Sequence, residues 1–191
     1  MELWKICRAI NNEKRLELLR EIALSPRKGL NVVQAGGFVG LRKAATSQYL
    51  RRLAEAGFLS VERSGKYVVC YSACEDESPS PLNAALSRLF KKSAKKKGWC
   101  ADVMKTVNAF AHYVRPRIVY HIAKAGSVGF ADLAKSCRLA PATLRRQLAI
   151  LIDAGVVSSE EDPKGHRLYA IAHSQDDLAS VLVSLSRNCC S

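Results

Sequence analysis

Two stretches of this chain, KAATSQYLRR at 43–52 and PATLRRQLAI at 141–150, combine the side chains that read a polyanion with the apolar spacing of a helix. In the first, Leu50 and Leu53 fall on one helical face and point inward. Arg42, Lys43, Ser47, Gln48, Tyr49 and Arg52 remain for the outer face. In the second, Thr143, Arg145, Arg146 and Gln147 are the polar set beside Leu144 and Leu148. A guanidinium or ammonium suits guanine O6 and N7, a carboxamide suits adenine, and hydroxyls suit phosphate oxygens. A plain solvated helix face accounts for either stretch alone. Two such faces at equivalent positions of a basic chain favour nucleic acid.

The charge agrees. The 191 residues carry 30 Lys+Arg against 17 Asp+Glu, a net +13, which attracts nucleic acid or an anionic membrane surface. Residues 1–98 hold 19 basic and 9 acidic side chains, a net +10, whereas 99–191 hold 11 and 8, a net +3. Part of the first excess is the run KKSAKKK (Lys91 to Lys97), either a phosphate contact or cations complementing the end of a helix.

The elements that must hold these faces can be read from periodicity. Leu3, Ile6, Cys7 and Ile10 form one apolar stripe, and Asn11 or Asn12 caps a second helix running to Ala23, with Ser25-Pro26 as its stop. Asn31 caps a short third helix over Val32 to Ala35, which Gly36-Gly37 break. A helix from Arg42 to Ala56 follows, ended by Gly57 and burying Leu41, Leu50 and Leu53. Phe58–Glu62 and Lys66–Ser72 form a hairpin. The order then recurs: a helix opening at Arg115-Pro116-Arg117, one over Phe130–Cys137, one from Pro141 to Ala154-Gly155, and a hairpin of Val156–Glu161 and His166–Ala172. Further stripes begin at Leu82, Val103 and Leu178. The expected class is mainly α with small β-hairpins (α+β). It is divided near Gly98 into a domain of residues 1–98 with a C-terminal linker helix and one of residues 99–191 with a C-terminal helix.

This repeated unit resembles the winged helix-turn-helix of ArsR/SmtB-like transcriptional regulators. The likeness rests on Arg15-Leu16, Leu41 through Leu50, Ala56-Gly57-Phe58-Leu59 and Gly65-Lys66-Tyr67-Val68. In the second copy it rests on Arg117-Ile118, Ala131-Asp132-Leu133-Ala134, Leu139 through Leu148, Ala154-Gly155-Val156-Val157 and Gly165 through Tyr169. The Ala-Gly pairs are offset by 98 residues but Arg15-Leu16 and Arg117-Ile118 by 102, and NVVQAGGFVGLRK is longer than ADLAKSCRLAP, so copy one is expected to carry about four additional residues ahead of its recognition helix. The resemblance implies tandem winged helices packed through flanking helices. It implies a sequence-specific DNA-binding regulator, a repressor, in which one chain forms a fused pseudo-dimer on double-stranded DNA. Two heads on one face of a duplex stand one turn apart, roughly 34–36 Å. It puts Lys43, Ala45, Ser47, Gln48 and Tyr49, and in copy two Pro141, Thr143, Arg145, Arg146 and Gln147, at contacting positions. The hairpins become wings, offering Arg63 and Lys66, then Lys164, His166 and Arg167. A protein-assembly module, or a non-specific nucleic-acid binder, is the alternative, and further homodimerisation stays open.

Such regulators often hold metals through a Cys-x-Cys pair or an Asp/His set on the last helix, and neither pattern occurs here. His173 with Asp176 reads as a helix cap. Cys189-Cys190 is the remaining thiol-sensor candidate, against a frayed tail. No cofactor is expected. The absence of a nucleophile elbow, a Walker loop, Gly-x-Gly-x-x-Gly and His-Glu-x-x-His argues against an enzyme. No apolar run nears the roughly 20 residues of a bilayer span. The mixed-charge N-terminus is unlike a signal peptide, and seven unpatterned cysteines suit reduced cytoplasm.

Overall fold

The computed structural model describes residues 2–25, 29–65, 67–93, 98–173 and 177–188. The chain divides into two compact units, one of Ala9–Met104 and one of Glu2–Arg8 with Lys105–Ser191. The division therefore falls inside the helix after Gly98 rather than at Gly98. It also assigns most of the first helix, α1 (Leu3–Ile10), to the second unit.

In the first unit α2 (Glu13–Ala23) starts at Asn12, whose side-chain oxygen accepts the Arg15 N–H at 3.1 Å. A two-residue strand, β1 (Leu30–Asn31), precedes α3 (Val32–Val39) and α4 (Lys43–Glu55). The hairpin β2 (Leu59–Ser64) and β3 (Tyr67–Ser72) follows, and β1 pairs antiparallel with β3 to give the sheet order β1-β3-β2. After it come a 3-10 turn (Ala73–Glu75), α5 (Pro81–Lys92) and the start of α6 (Trp99–Phe110). Leu16, Leu19, Ile22, Leu53, Phe58 and Phe90 are fully buried. Each such side chain is worth about 1.5–3 kcal/mol on transfer from water.

In the second unit α7 (Val114–Ala125), β4 (Ser127–Gly129), α8 (Phe130–Cys137), α9 (Pro141–Asp153), β5 (Val157–Glu161) and β6 (Arg167–Ile171) repeat that order. Their sheet runs β4-β6-β5, again antiparallel. The last helix, α10 (Asp177–Asn188), packs on α7 and buries Leu178 and Leu182. The fold is mainly helical with two small antiparallel three-stranded sheets, as the α+β expectation has it.

Three local expectations need correction. The strands β1 and β4 were not anticipated. Helix α3 does not break at Gly36-Gly37 but continues to Val39 and stops at Gly40, which takes the left-handed conformation, φ 67°. Copy one does carry additional residues ahead of its recognition helix, but not within the α3–α4 segment. Helices α3 and α8 both have 8 residues, and α4 and α9 both have 13. The extra residues lie between α2 and β1.

Candidate nucleic-acid interface

Helix α4 is fixed by its inner face. Thr46, Leu50 and Leu53 are buried, and the Thr46 hydroxyl donates to the Arg42 carbonyl at 3.0 Å. Helix α3 approaches it at Gly36, where a Cβ would lie 2.6 Å from Thr46 Oγ1 and 2.9 Å from the Leu41 carbonyl oxygen. That close crossing leaves Arg42, Lys43, Ser47, Gln48 and Arg52 exposed, as expected. Leu41 is only half-buried. Tyr49 is half-buried as well, with the Arg15 guanidinium 5.5 Å from its ring centroid, so it packs rather than projects. Burial, and then the neighbouring Arg52 cation, lower the pKa of Arg15.

Helix α9 buries Leu144, Leu148 and Leu151 and exposes Thr143, Arg145 and Arg146. Arg145 stacks over the Phe130 ring at 5.3 Å. The His112 imidazole is held below its ordinary range by burial, reinforced by the Arg115 and Arg146 cations. Gln147 does not belong to the outer face: it is 8% exposed, and its buried Oε1 accepts no hydrogen bond among the described residues. It lies on the same inward stripe as Leu144, Leu148 and Leu151. An unsatisfied buried amide oxygen costs more than an apolar group of similar shape. Gln147→Leu is therefore expected to raise stability by about 1 kcal/mol, read as a higher denaturation midpoint with an unchanged m-value. A lower midpoint would mean that the amide is satisfied.

Two cations beyond those the sequence singles out lie on these segments. Arg51 is exposed one turn beyond Ser47, on the same stripe as Gln48; i, i+4 spacing from Ser47 was the available signal. Arg138 caps α8 in the left-handed region, φ 50°, the sole non-glycine with positive φ among the described residues. Gly40 holds the equivalent place after α3. A left-handed conformation costs a residue with a Cβ about 1–2 kcal/mol.

In the first hairpin Arg63 is exposed on β2 opposite Val68, while Lys66 lies outside the described residues. In the second, Asp162 organises the turn. Its Oδ1 accepts the N–H groups of Lys164 and His166, both at 2.8 Å, and His166 Nδ1 lies 3.2 Å from its Oδ2. Lys164 is exposed, and Arg167 reaches Glu161 at 3.7 Å. The His166 N–H, ahead of the Lys164 N–H, holds the Asp162 carboxyl below its ordinary range. A depressed carboxylate stabilises the fold above its unfolded pKa, and that contribution is lost as pH falls through the folded pKa. The hairpin turn is thus expected to loosen below the usual aspartate range, with the amide resonances of Lys164 and His166 moving together on acidification. Invariant shifts for both would contradict this role.

Cys7, Cys70, Cys74, Cys100 and Cys137 are buried. Burial pushes the Cys100 thiol up to about 11. Among the described residues no three His, Cys, Asp or Glu side chains cluster as metal ligands. Cys189, Cys190 and Asp176 lie outside the described residues. No described helix is long and apolar enough to cross a membrane.

No protein-family model, curated protein or solved structure matches the chain.

Proposed function

We propose that this chain is a sequence-specific DNA-binding transcriptional regulator, a repressor, built from two winged helix-turn-helix units. The observation that carries the reading is the internal repeat. The order helix, strand, helix, helix, strand, strand occurs twice, with α3 matched to α8 and α4 matched to α9 in length. In both, the helix before the hairpin exposes a polar and cationic stripe, Ser47, Gln48 and Arg51 in one and Thr143, Arg145 and Arg146 in the other. Helices α4 and α9 would enter the major groove, and Gln48 and Arg146, at equivalent positions, would meet base edges. Arg42, Lys43, Arg52, Arg63, Lys164 and Arg167 would contact phosphates, which position the protein without reading sequence. The function is binding rather than catalysis, and the partner is double-stranded DNA.

Arg138 joins this set. An arginine held in the left-handed region where the other copy has glycine carries backbone strain, which a binding role for its side chain would offset. Arg138→Gly is expected to stabilise the protein by about 1 kcal/mol while weakening DNA binding. A gain in stability with undiminished affinity would remove Arg138 from the interface.

A second reading has its own support. Val33 and Phe38 are 67% and 62% exposed on α3, apolar side chains of the kind a protein partner would cover. Fluorescence anisotropy with a mixed-sequence duplex separates the two. DNA binding gives an affinity whose log–log salt slope is about −0.9 per phosphate contacted. An assembly module gives no retention at any salt.

A further inference from the structure

The first unit contains a cavity of about 310 Å³ between α4 and the β2–β3 hairpin, the lower end of the roughly 300–1,000 Å³ range of small-molecule sites. Leu50 and Cys70 form its buried floor, and Val32 and Ala54 its half-buried flank. Val61 and Val68 close it from the hairpin, although they are 49% and 39% exposed. Ser47, Arg51 and Glu55 follow one another along α4 at its rim.

The second unit explains why the space exists. Superposing the two repeats in sequence, with the hairpin registers aligned, sets Val32 on Phe130, Ser47 on Arg145, Ala54 on Ile152 and Cys70 on Tyr169. The last pair follows because Cys70 faces Val61 and Tyr169 faces Ser159. At all four positions the first unit has the smaller side chain. At two of those positions the second unit has an aromatic ring with a guanidinium stacked on it, Phe130 and Arg145. The hairpin walls differ in the opposite sense: Val61 and Val68 stand where the second unit has Ser159 and Arg167. Relative to the second unit, the first therefore lacks a ring and a cation at the site and has apolar walls where its counterpart is polar. A cation returns one turn along α4 as Arg51, which makes no ion pair among the described residues.

We propose that this cavity binds a small planar aromatic carboxylate. Its ring lies between the valines of the hairpin and Leu50, where the second unit holds Phe130. Its carboxylate meets the Arg51 guanidinium and the Ser47 hydroxyl, at the end of the site away from Glu55. A guanidinium facing a carboxylate at the rim of an apolar pocket gives both orientation and selectivity. The site adjoins the helix and hairpin that the proposed function assigns to DNA. Its test contains no DNA, so the failure of either idea leaves the other standing.

The test is calorimetric titration of the full chain with 2-naphthoate, 2-naphthol and 2-naphthylmethylammonium at neutral pH. One-site saturable binding is expected, with naphthoate preferred over both analogues by about tenfold or more, the scale of one charged hydrogen-bonded pair. Arg51→Gln should reduce naphthoate to the level of naphthol and leave naphthol unchanged. Val32→Phe, which restores the ring of the other copy, should abolish binding. Ala54→Ile fills the same space from the helix and serves if Val32→Phe fails to fold. Absence of saturable binding, equal affinity for naphthol, preference for the ammonium, or undiminished binding in a folded cavity-filling variant would each overturn the proposal.

Discussion

Gly36→Ala is expected to destabilise the first unit by about 1–3 kcal/mol, the range for overpacking a tight contact. The opposite should follow from Gly37→Ala, one residue on. A Cβ on Gly36 would meet the Thr46 hydroxyl at 2.6 Å and the Leu41 carbonyl oxygen at 2.9 Å, and neither can retreat freely. Thr46 is fully buried and tied to the Arg42 carbonyl, and the Leu41 oxygen is backbone. A Cβ on Gly37 meets nothing within 4 Å, on the exposed side of the same helix. There alanine gains about 0.5–1 kcal/mol of helix preference. Denaturant midpoints of the two variants, measured side by side, check the contrast. Equal effects of the same sign would mean that the α3–α4 crossing is looser than described.

The second large effect is on affinity. Gln48→Ala and Arg146→Ala remove side chains at equivalent positions of α4 and α9, and each should cost about 1–3 kcal/mol of specific binding. If the two copies read separate base pairs, the double variant should lose close to the sum. Affinity for random duplex should change little with Gln48→Ala, an uncharged deletion, and more with Arg146→Ala, which also gives up a cation. A silent Gln48→Ala beside a damaging Arg146→Ala would assign DNA reading to the second unit alone. Such an outcome would fit the first unit's apolar hairpin and its exposed Val33 and Phe38.

Much of this architecture was legible because the helices are amphipathic. The stripe of Leu3, Cys7 and Ile10 and those beginning at Val103 and Leu178 all became buried faces. The two Ala-Gly helix ends marked the repeat, with Gly57 and Gly155 both at positive φ. The strands β1 and β4 could not be read the same way. A segment of two or three residues shows no period, and each pairs only with a strand distant in sequence. At Gly36-Gly37 helix propensity argued for a break, and tertiary packing overrode it, because a buried crossing needs a residue without a Cβ. Gln147 has the residue type of the outer face, but its spacing from Leu144 and Leu151 puts it on the inner stripe, and position prevails over type. Arg138 had no local signal, since its left-handed conformation becomes apparent only beside Gly40.

The central claim is that both copies read DNA. Its most direct test is in-vitro selection of the purified chain on a random duplex pool at near-physiological salt. Enrichment of one site containing two spaced half-sites, lost at one half in Gln48→Ala and at the other in Arg146→Ala, is the expected result. No retention of any duplex would contradict the account and turn attention to a protein partner.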